Sequence, residues 1–367
     1  MTSTTAATAA DTAALPPVGF AIIGTGMIAT HHARAIRAVP GALLVGVHSR
    51  DESKRAVFAT ERGITAFATL AELLADQRVQ VVVVATPSGN HAEHAMAAAA
   101  AGKHVLCEKP LDITVPRANA IVAACARHGV ILLPVFQNRY GAAALAIREA
   151  LAAGRLGRVL TGRATMPWKR TMDYYRSGAW RGTWALDGGG CLMNQAIHTI
   201  DLLVHFLGQP LEVFGYTATL THPGVEVEDT ACAVLRFASG AMGVIEASTS
   251  CDPELPVTVA VTGSAGAVAV RGERLSQWEF ASPTAADTVL RAELVAPRAD
   301  PDDAEARFPK HRAQVEDLIR AIRSGGQPSI SPQEGVLAIE VITGIYESAR
   351  TGKPYRFAGA AAIPAAS

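Results

Sequence analysis

The chain has no C-x-x-C pair, no excess of charge of either sign and no apolar run long enough to cross a bilayer. Each absence removes a class of function. Its 33 basic and 33 acidic side chains cancel, so there is no electrostatic case for nucleic acid or an anionic membrane surface as partner. Without a stretch of roughly 20 apolar residues, no membrane-spanning helix is expected. The cysteines, Cys107, Cys125, Cys191, Cys232 and Cys251, are scattered and odd in number. Such a set reads as free thiols of a reducing cytoplasm, with no disulfide frame and no metal site. No internal repeat is visible. The opening "MTSTTAATAADTAALPP" has neither a basic n-region nor an apolar h-region, so residues 1–16 read as a disordered leader and not a secretion signal. Aromatics are sparse, at 5% of the chain, and any local concentration of them is therefore informative.

What is present suits two domains. The 367 residues are 49% hydrophobic, ample for more than one core. "VGFAIIGTGMIATHHARAI" is an apolar strand, a glycine turn and a helical pattern. Its Gly24-Thr25-Gly26-Met27-Ile28-Ala29 has the GxGxxA form of a dinucleotide fingerprint. Gly24 permits the tight turn, Gly26 lets a pyrophosphate approach the helix N-terminus, and Ala29 allows helix and strand to pack closely. A strand "ALLVGVHS" follows, then strands near 79–85, 104–107 and 130–135 separated by helical stretches. This alternation predicts an α/β fold with a parallel, doubly wound Rossmann sheet over 17–140.

The end of the second strand reports on the cofactor. NAD sites usually hold an acid there for the ribose 2′-OH, whereas this chain has Ser49 and Arg50. A hydroxyl and a guanidinium suit a 2′-phosphate, which favours NADP over NAD. Two alternatives stand against this: Arg50 stacking on the adenine, which would serve either cofactor, or Asp51 standing in for the missing acid. Two further loops fall at strand ends, where ligand crevices form. "ATPSGNHAEHA" offers Thr86, Pro87, Asn90 and His91, and "CEKPLD" offers Glu108, Lys109 and Pro110.

In "GGGCLMNQAIHTID", residues 188–201, three glycines precede a polar-dotted helix. Regular helical spacing would place Asn194, His198 and Asp201 on one face. Glycine triplets can cradle a phosphate, form a loose linker or let a backbone pass close to a ligand.

Together these pieces resemble the glucose-fructose oxidoreductase / inositol dehydrogenase / MocA family, from about Val18 to Phe357. The resemblance rests on "GTGMIA", "ATPSGNHAEHA", "CEKPL", "GGGCLMNQAIHTIDLL" and the closing "AIRSGGQPSISPQEGVLAIEVITGIYESARTGKP", in that order. It implies a C-terminal α/β domain with a large open, mostly antiparallel sheet, placed here at 141–357 and followed by a tail over 358–367. It also implies hydride transfer between NAD(P) and a carbon of a sugar, sugar acid, nucleotide-linked sugar or cyclitol. Lys109 matches the lysine beside the nicotinamide, and His198 matches the usual acid/base. Asn194 stands where inositol dehydrogenases have Asp, a departure that weakens an inositol assignment. Some relatives acting on nucleotide-linked sugars are similar in having Asn there. The family also contains an NAD-dependent glycoside hydrolase branch and a non-catalytic dinucleotide-binding regulator, and retention of both Lys109 and His198 speaks against the regulator.

On this reading the glycines form a close-approach turn that delivers Asn194 and His198 to substrate. With an ordinary pKa near 6.5, His198 would exchange a proton at neutral pH, and Asp201 would fix its tautomer. His31, His32, His94, His104, His205 and His311 read as core histidines. The stretch "WKRTMDYYRSGAWRGTW", residues 168–184, holds three of the four tryptophans with Tyr174 and Tyr175. Its aromatics and Arg170, Arg176 and Arg181 suit either sugar recognition or an oligomer contact. Trp180 and Arg181, leading into the glycines, are expected near the cofactor, and Arg170, Tyr174 and Trp180 near substrate. "TACAVLRF" and "GAMGVIEAS" alternate as strands of an open sheet, whose face calls for cover by a second copy, as dimer or tetramer.

Overall fold

Val18–Ile23, VGFAII, is apolar and buried at every position, as a strand covered on both faces must be. It is β1 of a parallel sheet with β2 (Ala42–His48), β3 (Thr65–Phe67), β4 (Val81–Val84), β5 (His104–Cys107) and β6 (Leu132–Pro134). The order is β3-β2-β1-β4-β5-β6. Connections leave β1 and β4 toward opposite edges, which opens a crevice at the carboxyl ends of the strands. The expected Rossmann sheet is therefore present. This computed structural model describes residues 15–295 and 304–358. Most of the expected leader (1–14) and tail (359–367) lies outside the described residues.

The second sheet comprises β7 (Val159–Pro167), β8 (Pro210–Ala218), β9 (Thr230–Phe237), β10 (Met242–Ser248), β11 (Thr258–Gly263), β12 (Gly266–Arg271), β13 (Arg274–Phe280) and β14 (Tyr355–Arg356). Its order is β13-β12-β11-β7-β10-β9-β8-β14. Only β7 and β10 pair in parallel, and the other neighbours are antiparallel. The strands alternate as read. In β9, Ala231, Ala233, Leu235 and Phe237 face inward, while Cys232, Val234 and Arg236 face out. Helices Ile197–Leu207 and Pro332–Thr351 cover the inner face. The approach is close enough that a Cβ on Gly162 would stand 2.7 Å from Leu207 and 2.8 Å from Leu203. The outer face leaves Val234, Val244, Met242 and Tyr216 exposed.

Arg139, just after the first sheet, ties the two halves together. Its guanidinium is buried and donates to both oxygens of Asp201, at 2.6 and 2.9 Å, and to Glu334. Breaking a buried pair of this kind costs about 3–5 kcal/mol, because the surviving charge is stranded. Asp201 thus holds the domains together and does not orient His198, contrary to the sequence reading.

Candidate active site

The crevice, about 1010 Å³, is lined by residues of both sheets' halves. At one end lies the Gly24 turn. Gly24 takes φ 116°, and a Cβ there would meet the Ala85 carbonyl oxygen at 2.3 Å. Only glycine fits. A Cβ on Gly26, by contrast, would meet no atom within 4 Å and would protrude into the crevice itself. The following helix, Met27–Arg37, has no side-chain cap and no acid in its first turn. Its first N–H groups and positive dipole end are left to an anion.

Thr25, Met27, Ile28, Ser49, Arg50, Thr86, Pro87 and Asn90 all line this end. Asp51 lines it too, but its carboxylate is committed: it caps the next helix by accepting from the Lys54 N–H at 3.0 Å and pairs with Lys54 Nζ at 3.2 Å. Lys54 also lines the crevice, a second cation the sequence reading missed. His91 does not reach the crevice wall. It is buried, with Nδ1 2.8 Å from the Pro110 carbonyl and Nε2 2.9 Å from the Thr86 carbonyl. It stitches the two strand-end loops together, which corrects its expected contact with cofactor.

At the other end, Lys109 leaves the β5 loop and donates through Nζ to the Asn194 carbonyl at 2.7 Å. Burial lowers its pKa; Glu108 and Asp187 oppose that, and Arg181 adds to it. Burial alone would raise the Glu108 carboxyl. The hydrogen bond from His32 at 2.8 Å, with the charges of His32 and Lys109, instead brings it down to about 2. Glu108 is thus an anion beside the lysine.

Asn194 and His198 both line the crevice, but not as neighbours on a regular helix. Residues Cys191–Ala196 form a π-type turn ahead of the helix Ile197–Leu207. Its wider winding, i to i+5, shifts the phase that the i, i+4, i+7 reading assumed. Asp201 lies beyond that turn, on the same regular helix as His198, and gives its carboxylate to Arg139. The His198 ring meets Phe136 edge-on at 6.2 Å, and among the described residues its buried Nδ1 has no hydrogen-bond partner. Burial, then Lys109, holds its pKa well below the ordinary histidine value.

The glycine triplet approaches protein, not ligand. A Cβ on Gly188 would stand 2.4 Å from Ile113, on Gly189 2.1 Å from the Tyr346 hydroxyl, and on Gly190 1.7 Å from the Glu228 carbonyl oxygen. Glu228 accepts from the N–H groups of Gly190 at 2.8 Å and Leu192 at 2.9 Å, and from the Tyr346 hydroxyl at 2.9 Å. The glycines therefore let the chain pass through the core and seat the π turn.

Three of the five aromatics of the 168–184 segment line the crevice: Trp168, Tyr174 and Trp180. Arg181 lies over Tyr174 at 4.3 Å and Trp180 at 4.6 Å, and donates to the Tyr174 hydroxyl at 2.6 Å. Arg170 lies over Trp168 at 4.8 Å and pairs with Glu254 at 3.2 Å. Tyr175 and Trp184 turn away, Tyr175 to Thr249 and Trp184 to Tyr346 and Glu226. His31, His94 and His311, read as core residues, line the crevice. So do Lys310 and Gln195. No local pattern marks these positions, because strands far apart in sequence bring them together.

Comparison with known proteins fits this geometry. Residues 18–136 match the oxidoreductase family with an NAD-binding Rossmann fold, and residues 144–269 match the GFO/IDH/MocA C-terminal domain. A D-xylose 1-dehydrogenase (NADP(+)) of Haloferax volcanii is 30% identical over 91% of this chain and 98% of its own. A myo-inositol 2-dehydrogenase of Thermotoga maritima is 26% identical over 87% of this chain and 92% of its own. The WlbA dehydrogenase of Bordetella pertussis, solved with NADH and UDP-GlcNAcA, superposes with a TM-score of 0.86 at 32% identity, covering 93% of this chain and 98% of its own. With its Gly24 turn, its strand-end Lys109 and its open second sheet, the chain belongs to the GFO/IDH/MocA family of oxidoreductases.

Proposed function

We propose that the chain is an NAD(P)-dependent dehydrogenase or keto-reductase of a sugar-like secondary alcohol, with 17–140 holding dinucleotide and 141–357 holding substrate. One observation carries this: Lys109 Nζ, from the first half, sits 2.7 Å from the backbone of Asn194 in the turn that leads to His198. A lysine and a histidine from separate halves thus meet in one crevice, whose far end is an uncapped helix N-terminus. The Gly24 turn and the open space at Gly26 fit a dinucleotide's phosphates. When bound, the nicotinamide ring supplies the hydride acceptor or donor.

The protein's own residues handle the proton and the geometry. In oxidation, the Lys109 amine, whose hold on its proton burial weakens, withdraws the hydroxyl proton. The neutral His198 ring bonds the same oxygen or its neighbour and relays that proton. In reduction, both polarise the carbonyl. Glu108 keeps a compensating negative charge behind the lysine, and the aromatic wall excludes water. Trp168, Tyr174 and Trp180 offer faces to sugar C–H surfaces. Among the described residues Arg181 has no carboxylate within ion-pair distance, which suits an acidic or nucleotide-linked sugar, as in the WlbA complex. A screen of neutral sugars, inositols, sugar acids and nucleotide-linked sugars, read by NAD(P)H absorbance, tests the reading. Turnover should favour the anionic substrates, and silence across the panel retires it.

For the cofactor we favour NADP. Arg50 and Lys54 line the crevice beside Ser49, where a 2′-phosphate would lie, while the Asp51 carboxylate caps a helix and pairs with Lys54. Arg50→Ala should weaken NADP binding roughly 10- to 100-fold, the loss of a hydrogen bond to a charged group, and leave NAD unchanged. Fluorescence titration with both dinucleotides checks this, and a wild type that binds NAD more tightly contradicts it.

The outer face of the second sheet, where exposed Val234, Met242 and Val244 lie among Arg163, Arg236 and Glu246, is assigned to a second copy of the chain. Val234 and Val244 pair across β9 and β10 at its centre. Val234→Arg should convert the oligomer to monomer in sedimentation velocity, since a charge in a dry interface core has no partner. A wild type that already sediments as a monomer removes the assignment.

A further inference from the structure

Behind the crevice, one buried carboxylate plays no part in the chemistry described so far. Asp187 is buried, immediately before the glycine triplet. Its Oδ1 accepts from Asn194 Nδ2 at 2.7 Å, and its Oδ2 accepts from the Gly182 N–H at 2.9 Å. Burial raises the Asp187 pKa, against the hydrogen bonds from Gly182 and Asn194 and the charges of Lys109 and Arg181; as the anion, the carboxylate can only accept. The Asn194 amide is therefore held with its NH₂ toward Asp187 and its Oδ1 away. Among the described residues nothing donates to that Oδ1, and Asn194 lines the crevice beside Lys109 and His198.

We propose that Asp187 is a positioning residue that locks Asn194 so as to present an acceptor to a substrate hydroxyl, and that joins the aromatic segment to the acid/base turn. The inference rests on the oxidoreductase reading above. Through Gly182 the same carboxylate grips the loop carrying Trp180 and Arg181, so movement of the aromatic wall is felt at Asn194. Its charge also acts on Lys109, alongside Glu108, which favours the ammonium form, and Arg181, which opposes it. Tyr174 and Arg181 face Asp187 from the aromatic segment, Lys109 from the β5 loop and Asn194 from the π turn.

The test uses Asp187→Asn and the exchange variant Asp187→Asn/Asn194→Asp. In Asp187→Asn, two amides face each other and Asn194 is free to flip. Its kcat/KM for the alcohol should fall about 10- to 100-fold, as for a small misplacement of a reacting group, with dinucleotide affinity intact. The exchange variant restores a donor–acceptor pair of reversed polarity and an acceptor toward the crevice. It should recover most of kcat/KM, with a shifted pH profile, because the carboxylate now borders the crevice. A second arm does not need turnover. Loss of the Asp187 charge makes the Lys109 amine easier to deprotonate, so at fixed pH acetic anhydride should label Lys109 several-fold faster in Asp187→Asn, read by peptide mass spectrometry. Equal labelling, or an exchange variant no faster than Asp187→Asn, overturns the proposal. If no sugar is turned over even by wild type, the oxidoreductase reading fails, and the labelling arm still decides the role of Asp187.

Discussion

His198→Ala should lower kcat by about 10²–10⁴, the contribution of a positioned acid/base, while dinucleotide binding survives. The phosphates meet the Gly24 turn and the Met27–Arg37 helix, and neither depends on the His198 ring. The pH dependence follows from the environment. Read from sequence, His198 would titrate near neutrality. In the fold, burial and the Lys109 charge hold it well below that, so the ring is neutral at pH 7. The limb of kcat/KM that His198 contributes to oxidation therefore lies on the acid side, with activity lost as pH falls and the ring gains its proton. That contribution should disappear in His198→Ala, leaving a low rate whose remaining pH dependence is that of Lys109 alone. His198→Gln, which keeps a hydrogen-bonding group but does not titrate, separates positioning from proton transfer. Recovery of kcat in Gln would show that the ring only positions. Steady-state kinetics from mildly acidic to alkaline pH, with dinucleotide titrations of each variant, supply the comparison.

Much of the first half was legible because its signals are local. Gly24 and Gly26 sit between a strand and a helix, and the strand rhythm after them is regular, so residues adjacent in sequence declare the sheet. The second half was legible through the alternation in β9 and β10. The site was less so. Asn194, His198 and Lys109, picked out by motif, do line one crevice, yet their arrangement depends on a π turn whose extra residue has no compositional mark. Asp201 was misread for another reason: it lies three residues past His198 on the same regular helix, but its carboxylate is taken by Arg139, far away in sequence. The glycine triplet was read as facing a ligand because nothing nearby reveals Glu228 or Tyr346 packed against it. His31 and His311 were missed because the crevice wall is assembled from distant segments. His91 was overcalled because a strand-end position does not say which way a ring points.

Lys109→Ala should abolish measurable turnover without unfolding the protein. The fold loses one Nζ hydrogen bond to the Asn194 carbonyl, a net about 0.5–1.5 kcal/mol, against a typical stability of about 5–15 kcal/mol. Glu108 keeps its hydrogen bond from His32, so no carboxylate is stranded. Thermal unfolding should move only slightly and dinucleotide should still bind, which places any loss of rate in the chemistry. The sign of the pH effect is fixed by the direction of reaction. Oxidation needs the neutral amine, so its kcat/KM rises as pH rises through the Lys109 pKa, which burial sets below the ordinary lysine value. Reduction needs the ammonium form and declines over the same range. Lys109→Arg is the sharper variant, because guanidinium keeps the charge but does not give up its proton. It should stay inactive in oxidation at every pH, even if its positive charge still polarises a carbonyl and leaves some reduction. An Arg variant that oxidises substrate with the wild-type pH profile would take the proton away from Lys109 and assign it to another group in the crevice.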